Sequence, residues 1–488
     1  MAGDEPGQEA SPERQTAELG AGQGAAQHSA EAGAAEDRIK PGQLKTETGE
    51  PSADDKPEKH GITPELVQTF LDRFLPAGNR SVVKAYKYWP VATLGEGYTT
   101  VRKVLEVTYC DEVKEKEEVV NFVVKLPGGM FVKECRDFGL YEREVVMYAQ
   151  VVEVFRQLLT SRGQPVLLPF ARLAYGTMLK DGQILDERGQ LAADQRLGEM
   201  MVLEMLTGYE VVDKKVGFDL DHVRLVLPAM ARFHAMGYVL HQKHSERADR
   251  LRSVRLEMPD DLSQFGLALK PILAVLEHEG LLSEAAAVDR VTSANHFIDG
   301  FNRTFTEDLD VVTLVHGDLW ISNMMFKYRT DEDGVRHPED IKFLDLQTSR
   351  FGDPAFDIIY CMLTSTRRAL RRQHFRDMLS WYVAAFRTQL EELGEKPDQL
   401  APWLSVDRLY SMYGNALSNS WIQAEQVVQM LFSSEEDRSL IFSSNDKEAA
   451  PKAIQTMTER WLAGKCTPEL TVRILEIIDE LEEFGCLK

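Results

Sequence analysis

The stretch LVHGDLWISNMMF, residues 314–326, places a histidine, a carboxylate and an amide between two apolar arms. Val311, Val312, Leu314 and Val315 lead into His316-Gly317-Asp318, and Asn323 stands before Met324, Met325 and Phe326. Two readings fit: a polar turn closing a buried hairpin, or a functional site on a rigid footing. Gly-Asp pairs serve ordinary turns, so the tripeptide alone favours the turn. The longer pattern favours the site. His316-x-Asp318-x4-Asn323 is followed by IKFLDLQ (341–347), a short apolar strand ending in Asp345. The strands at 311–316 and 341–345 can place Asp318, Asn323 and Asp345 side by side.

Phosphoryl transfer from ATP needs a carboxylate to orient and deprotonate the attacking hydroxyl. It also needs an amide and a second carboxylate to hold Mg2+ against the phosphates. Mg2+ is a hard cation, commonly bound by one or two carboxylates with phosphate oxygens and water. Asp318 fits the base, and Asn323 and Asp345 fit the metal ligands. The same chemistry requires a strand lysine upstream for the phosphates and a helical glutamate to hold it. Lys125 lies in FVVKLP (122–127), an apolar strand where a charge needs a partner or a path to water. In the helix expected over 134–160, Phe138, Tyr141, Val145, Tyr148, Val152, Phe155 and Leu159 repeat at alternating steps of three and four. At about 100° per residue, Glu144 lies roughly 65° from the centre of that stripe and Glu142 roughly 95°. Glu144 is the better inward candidate, with Glu142 left open. LGEGYTT (94–100) offers Gly95 and Gly97, either for backbone N–H groups over the phosphates or for an ordinary hairpin turn. MMVLEML (200–206) is an apolar strand at the change from β-rich to helical sequence, where a hinge could offer backbone groups to adenine.

The 488 residues carry a net charge of −22. Such a surface repels nucleic acid and anionic membrane, so a polyanionic substrate needs a local positive site. Five scattered cysteines (110, 135, 361, 466 and 486) form no CxxC or Cys/His cluster, which points to a reducing, cytoplasmic setting and away from structural zinc. No basic segment followed by an apolar core opens the chain, and no long apolar run interrupts it. Neither a signal peptide nor a membrane span is expected. Residues 1–60 hold 13 acidic and 6 basic residues and no aromatic residue, and are expected to form a disordered acidic tail. Thr63-Pro64 reads as a helix cap and first turn. Residues 61–206 are expected to be sheet-rich, with strands over 87–126, at 170–175 and at 199–205, and a hairpin excursion at 177–198. Residues 207–488 read as helical at 219–240, 261–279, 283–306, 355–367, 371–394, 405–433, 448–463 and 468–484. Trp403, Tyr410, Met412, Tyr413, Trp421, Met430 and Phe432 could line an apolar acceptor pocket or pack a helical core.

Seven segments, in order, carry a resemblance: ATLGEGYTTVRKV (92–104), FVVKLP (122–127), FGLYEREVVMYAQV (138–151), MVLEML (201–206), MARFHAM (230–236), LVHGDLWISNMMFKY (314–328) and FLDLQTSRFGDPAFDIIYCML (343–363). They resemble the ecdysteroid kinase-like (CHK) branch of the choline kinase and aminoglycoside phosphotransferase superfamily. The resemblance implies an α+β, protein-kinase-like fold of two lobes, one an antiparallel sheet with one helix, the other mostly helical. It implies ATP and Mg2+ as cofactors and a small-molecule hydroxyl as acceptor, ecdysteroid alcohols being the family's named case. By this resemblance Asp318 is the base, Asn323 and Asp345 bind Mg2+, Lys125 contacts the phosphates and Glu144 pairs with it. Glu204 and Leu206 would meet adenine through their backbone, and His316 and Asp357 would support the catalytic loop. The chain departs from the family at Leu346, where phenylalanine is common, and at Met205, where aspartate is common. Three functions stay open: an ATP-dependent small-molecule O-kinase with an apolar, steroid-like acceptor, a protein kinase, or a nucleotide-binding scaffold without turnover. Against the protein kinase, Gly352-Asp353-Pro354 follows Asp345 almost at once and leaves no long activation loop.

Overall fold

The computed structural model describes residues 57–486 except 77, 79, 91–99, 129–135, 193, 195–196, 255–269, 279–304 and 444–448. Gly95 and Gly97 lie outside the described residues, as do most of the helix expected at 283–306 and nearly all of the tail expected at 1–60. The first helix, α1 (Pro64–Phe74), starts as its sequence predicts: Pro64 opens it and Thr63 Oγ1 accepts the Leu66 N–H at 3.3 Å. β1 (Ser81–Pro90), β2 (Thr100–Asp111) and β3 (Lys116–Pro127) follow. β1 begins earlier than the 87 expected, because a register shift between Val83 and Ala85 breaks its alternation. β4 (Leu173–Lys180) turns back into β5 (Gln183–Asp186), which is the hairpin excursion, and β6 (Met200–Glu204) returns. Together they form a six-stranded antiparallel sheet in the order β1-β2-β3-β6-β4-β5.

The pleat gives this sheet two different faces. Leu105, Val107, Phe122 and Val124 turn towards Val67 and Phe70 of α1 and are fully buried. On the opposite face Arg102 of β2 stands directly across from Lys125 of β3, and Lys125 is in turn paired with Met201 of β6. That face meets α2 (Leu140–Val146), which runs through a π turn (Met147–Val151) into α3 (Val152–Ser161). The described helix runs from Leu140, after Gly139 at φ 68, and the expected start at 134 lies outside the described residues. The π turn adds a residue to one helical turn, so Val145, Val146, Met147 and Tyr148 are buried consecutively.

The helical lobe is built around α4 (Leu220–Lys243), capped by Asp219 and buried at every position from Phe233 to Leu240. β8 (Thr313–Val315) lies against it. A Cβ on Gly237 would stand 2.6 Å from Leu314 N and 2.5 Å from Leu314 Cβ, so only glycine permits this approach. Gly237→Ala is expected to destabilise the chain by about 1–3 kcal/mol through overpacking, read as a lower urea midpoint. An unchanged midpoint would mean that β8 is not seated on this helix.

Downstream, β9 (Met324–Thr330) and β10 (Arg336–Phe343) form a hairpin with β7 (Tyr209–Glu210) on its edge, while β8 pairs with β11 (Arg350–Gly352). LVHGDLWISNMMF is therefore not the one hairpin its two apolar arms suggest: the arms belong to different sheets, and 341–343 pairs with 324–326. The physical reason is local closure. The Asp331–Gly334 turn, with Asp331 N–H donating to Val335 O at 2.9 Å, pairs 341–343 with 324–326 before any distant strand can compete.

Among the further helices of the lobe are α5 (Pro354–Ser365), α6 (Arg368–Glu392), α7 (Val406–Phe432) and α8 (Pro468–Glu483). Each lies within three residues of its expected bounds. Glu435–Ser443 is a helix without an apolar period to betray it. Most rings considered for an acceptor pocket are spent on core packing. Tyr413 packs on Phe375 and Phe484, Tyr410 on Phe484, and Trp403 on Tyr238 and Phe386. Among the described residues no helix is long and apolar enough to cross a membrane.

Glu425 on α7 is fully buried; Gln429 donates to its Oε1, and its Oε2 has no hydrogen-bond partner among the described residues. Burial pushes this carboxyl up to about 8, against the opposing pull of Gln429. The folded chain thus keeps a proton that the unfolded chain releases near 4.5. This group's contribution to stability is full below the unfolded value and is lost as pH rises towards 8. Glu425→Gln should therefore gain on the parent chain between about pH 5 and pH 8 in urea titrations. A difference that does not widen with pH would contradict the assignment.

Candidate active site

The face of the sheet that carries Lys125 holds a cluster of four charges. Lys125 Nζ donates to Glu144 Oε1 at 2.7 Å and Oε2 at 2.8 Å, and to Asp345 Oδ1 at 2.5 Å. Arg102 Nη2 donates to Asp345 Oδ2 at 3.3 Å. Burial disfavours the buried charges; mutual attraction prevails at Asp345 and Lys125, whereas at Glu144 burial prevails and raises the carboxyl. The charges of Lys125 and Arg102 outweigh the burial of Asp345 and hold its carboxyl at about 2, and Asp345 and Glu144 hold the buried Lys125 ammonium above its ordinary range. Glu144 is thus the lysine's partner. Glu142 pairs with Lys180 and Arg250, which closes the choice left open by the helix phase. Asp345 sits at φ 59 and ψ 67, a left-handed conformation rare for a residue with a side chain. Arg143, beside Glu144, donates to Ser349 O at 2.9 Å and to Val254 O, tying α2 to the loop after Asp345.

The second half of the site is the loop 316–323. Asp318 Oδ1 accepts the Tyr360 hydroxyl at 2.8 Å, and Oδ2 accepts Asn323 Nδ2 at 2.9 Å. Asn323 Nδ2 also donates to Asp318 O at 2.8 Å. Since the amide nitrogen faces Asp318, the amide oxygen is directed elsewhere, as a hard oxygen donor. Burial pushes the Asp318 carboxyl up to about 7, helped by the charge of Asp345 and opposed by the Tyr360 and Asn323 hydrogen bonds. Gly317, at φ +83, backs onto Thr348 O, which a Cβ would approach to 2.7 Å.

His316 joins the two halves. Its Nε2 stands 2.8 Å from Leu344 O, next to Asp345, and its Nδ1 accepts the Asp318 N–H at 3.3 Å. These partners require the neutral ring protonated on Nε2, in keeping with burial, which lowers its pKa. Leu344 N–H donates to Asn323 O at 2.9 Å, a second strap between the halves. Asp357, at 0% exposure, lies beneath. It accepts the His316 N–H at 2.6 Å, the Gly317 N–H at 2.9 Å and His234 Nε2 at 3.0 Å. Although burial opposes its charge, His234, His316 and the Gly317 amide keep its carboxyl below the ordinary range. His234 Nδ1 continues to the Tyr382 hydroxyl at 2.8 Å.

Asp318, Asn323, Asp345, Lys125, Glu144, His316 and Asp357 are thus brought into one connected region. Glu204 and Leu206 lie at and just beyond the end of β6 and touch none of these groups in a hydrogen bond. The Glu204 and Met205 N–H groups are bonded to Arg172 O and Asn121 O, and the Glu204 carboxylate takes Arg172. Four residues of the region were not foreseen: Arg102, Tyr360, His234 and Tyr382. His234 carried a signal, a lone titratable group in the otherwise apolar MARFHAM helix, which needs a buried partner. Tyr360 also did, three residues from Asp357 on one helical face.

The chain matches the model of the ecdysteroid kinase-like family over residues 94–395, more than half of its 488 residues. It belongs to the ecdysteroid kinase-like family. The matched span contains all the candidate residues, from Gly95 to Asp357. The kinase-like, two-lobed α+β fold and the class of small-molecule kinases go with membership of the ecdysteroid kinase-like family. No curated protein matches the chain. Among solved structures it is similar to a GDP complex of an aminoglycoside 2'-phosphotransferase variant, at 11% identity and TM-score 0.33 over 82% of this chain and 98% of that one. It is also similar to a glucosamine kinase, at 13% identity and TM-score 0.24 over 83% of this chain and 98% of that one.

Proposed function

We propose that the protein transfers the γ-phosphoryl group of ATP to a hydroxyl of a small, apolar, steroid-like molecule. The observation that carries this reading is the juncture at His316, which straps the Asp318–Asn323 loop to the Lys125–Glu144–Asp345 cluster. Phosphoryl transfer needs these two groups at a fixed distance. Mg2+ suits the donors: a carboxylate already neutralising two cations, and an amide oxygen turned away from its hydrogen-bonded nitrogen. Asp345 and Asn323 would hold it, and when bound it neutralises charge on the phosphates.

In this reading Lys125 contacts the phosphates and Glu144 fixes its Nζ. The Glu204 carbonyl and the Leu206 N–H meet the adenine edge. Gly95 and Gly97 cover the phosphates. Asp318 accepts the acceptor's hydroxyl proton at a carboxylate oxygen while Tyr360 and Asn323 hold the carboxylate in place. The bond from the acceptor oxygen to the γ-phosphorus forms as the bond from that phosphorus to the β–γ bridging oxygen breaks, and ADP leaves. A carboxyl held near neutrality by burial is a stronger base than an exposed aspartate. His316 and Asp357 act through the loop they hold. The sheet-bearing lobe is taken as 61–206, the helical lobe as 207–488, and 1–60 as an acidic tail. The test is ADP release from MgATP with a panel of hydroxylated sterols and, separately, amino sugars. Sterol-dependent release supports the reading. Release only with amino sugars overturns the apolar acceptor, and release with neither class overturns both claims.

A further inference from the structure

Asp345 is held by two cations of its own chain, and they hold it unequally. Lys125 Nζ sits 2.5 Å from Oδ1, whereas Arg102 Nη2 sits 3.3 Å from Oδ2, long for a charge-assisted hydrogen bond. Lys125 is further fixed by both oxygens of Glu144. The side chain of Arg102 is 22% exposed against 4% for Lys125. β2 and β3 place the two residues opposite each other, so both rise from the same face of the sheet towards Asp345. Two cations and two carboxylates leave the cluster formally neutral.

We propose that Arg102 is a second cationic ligand of the nucleotide phosphates, held on Asp345 until a metal-bound nucleotide displaces it. This rests on the proposed function. A carboxylate that binds a divalent cation no longer needs Arg102 at its second oxygen. The arginine then stands beside Lys125, on the same face, where the triphosphate brings new negative charge. A guanidinium presents a planar fork of donors that matches phosphate geometry, which a lysine does not. The opposite possibility is that Arg102 is only a latch, competing with the metal for Asp345. The two differ in sign: removing a phosphate ligand weakens nucleotide binding, and removing a latch strengthens it.

The test uses the full chain and isothermal titration with MgADP and MgATP. Arg102→Gln should weaken MgATP binding about tenfold or more, the scale of a hydrogen bond to a charged group. Arg102→Lys should recover part of the loss, and a thermal melt confirms folding of each. Asp345→Asn, which frees both cations, should bind metal-free ATP more tightly than the parent. Lys125→Gln is the control. If Lys125→Gln weakens binding while Arg102→Gln leaves it unchanged or tightens it, the Arg102 proposal fails alone. If neither substitution matters, the nucleotide site itself is misplaced, and the proposal falls with it. Should Arg102→Gln not fold, unchanged affinity in Arg102→Lys together with no gain in Asp345→Asn overturns the proposal.

Discussion

Replacing Asp318 by asparagine lowers acceptor phosphorylation by about 10²–10⁴-fold, the usual contribution of a general base, and leaves nucleotide affinity close to that of the parent. Asparagine keeps the shape and can still accept the Tyr360 hydroxyl at its amide oxygen. It cannot take a proton from an acceptor hydroxyl. Its NH2 group also faces the Asn323 Nδ2 donor that now stands 2.9 Å from Oδ2, so one of the two amides must turn. The separation of chemistry from binding is what identifies a base. It is read by single-turnover transfer alongside a nucleotide titration. Undiminished transfer would remove Asp318 from the reaction. Lost nucleotide binding would make it a binding residue.

Asp357→Ala costs about 3–5 kcal/mol of stability, because it leaves buried donors with nothing to bond. The side chain is fully buried and accepts two backbone N–H groups and the His234 ring. Asp357→Asn, which keeps one acceptor oxygen, should lose less. His234→Phe should lose least, since Asp357 retains its two backbone bonds and only the ring's links to Asp357 and Tyr382 are given up. The order is measured by urea midpoints. An Asp357→Ala chain within about 1 kcal/mol of the parent, the range of an ordinary surface change, would mean that this carboxylate does not support the loop.

What could be read from the chain depended on whether the deciding contact is local. The spacing from His316 to Asn323 is local, and both ends of it fall in one loop whose geometry a short segment sets. The Lys125–Glu144 pair was reachable because helix phase is a local property, and the phase favoured Glu144 over Glu142 by a small angle that the ion pairs bear out. Arg102 was not reachable. It faces Lys125 only through the β2–β3 register, and alternation alone does not say which residues stand opposite. The hairpin reading of 314–326 failed for a related reason: both arms are apolar strands, and composition does not choose between partners. The aromatic residues near 403–432 could serve a pocket or a core by composition, and the structure commits Trp403, Tyr410 and Tyr413 to ring contacts and Phe432 to Arg473.

The most direct measurement of the central claim incubates the purified chain with MgATP and a metabolite extract rich in sterols, then follows by mass spectrometry which compounds gain a phosphate. The account predicts a hydroxylated, apolar compound that gains one phosphate with the parent chain and not with Asp318→Asn. Phosphate appearing only on protein, or ATP bound with no compound phosphorylated, would contradict it.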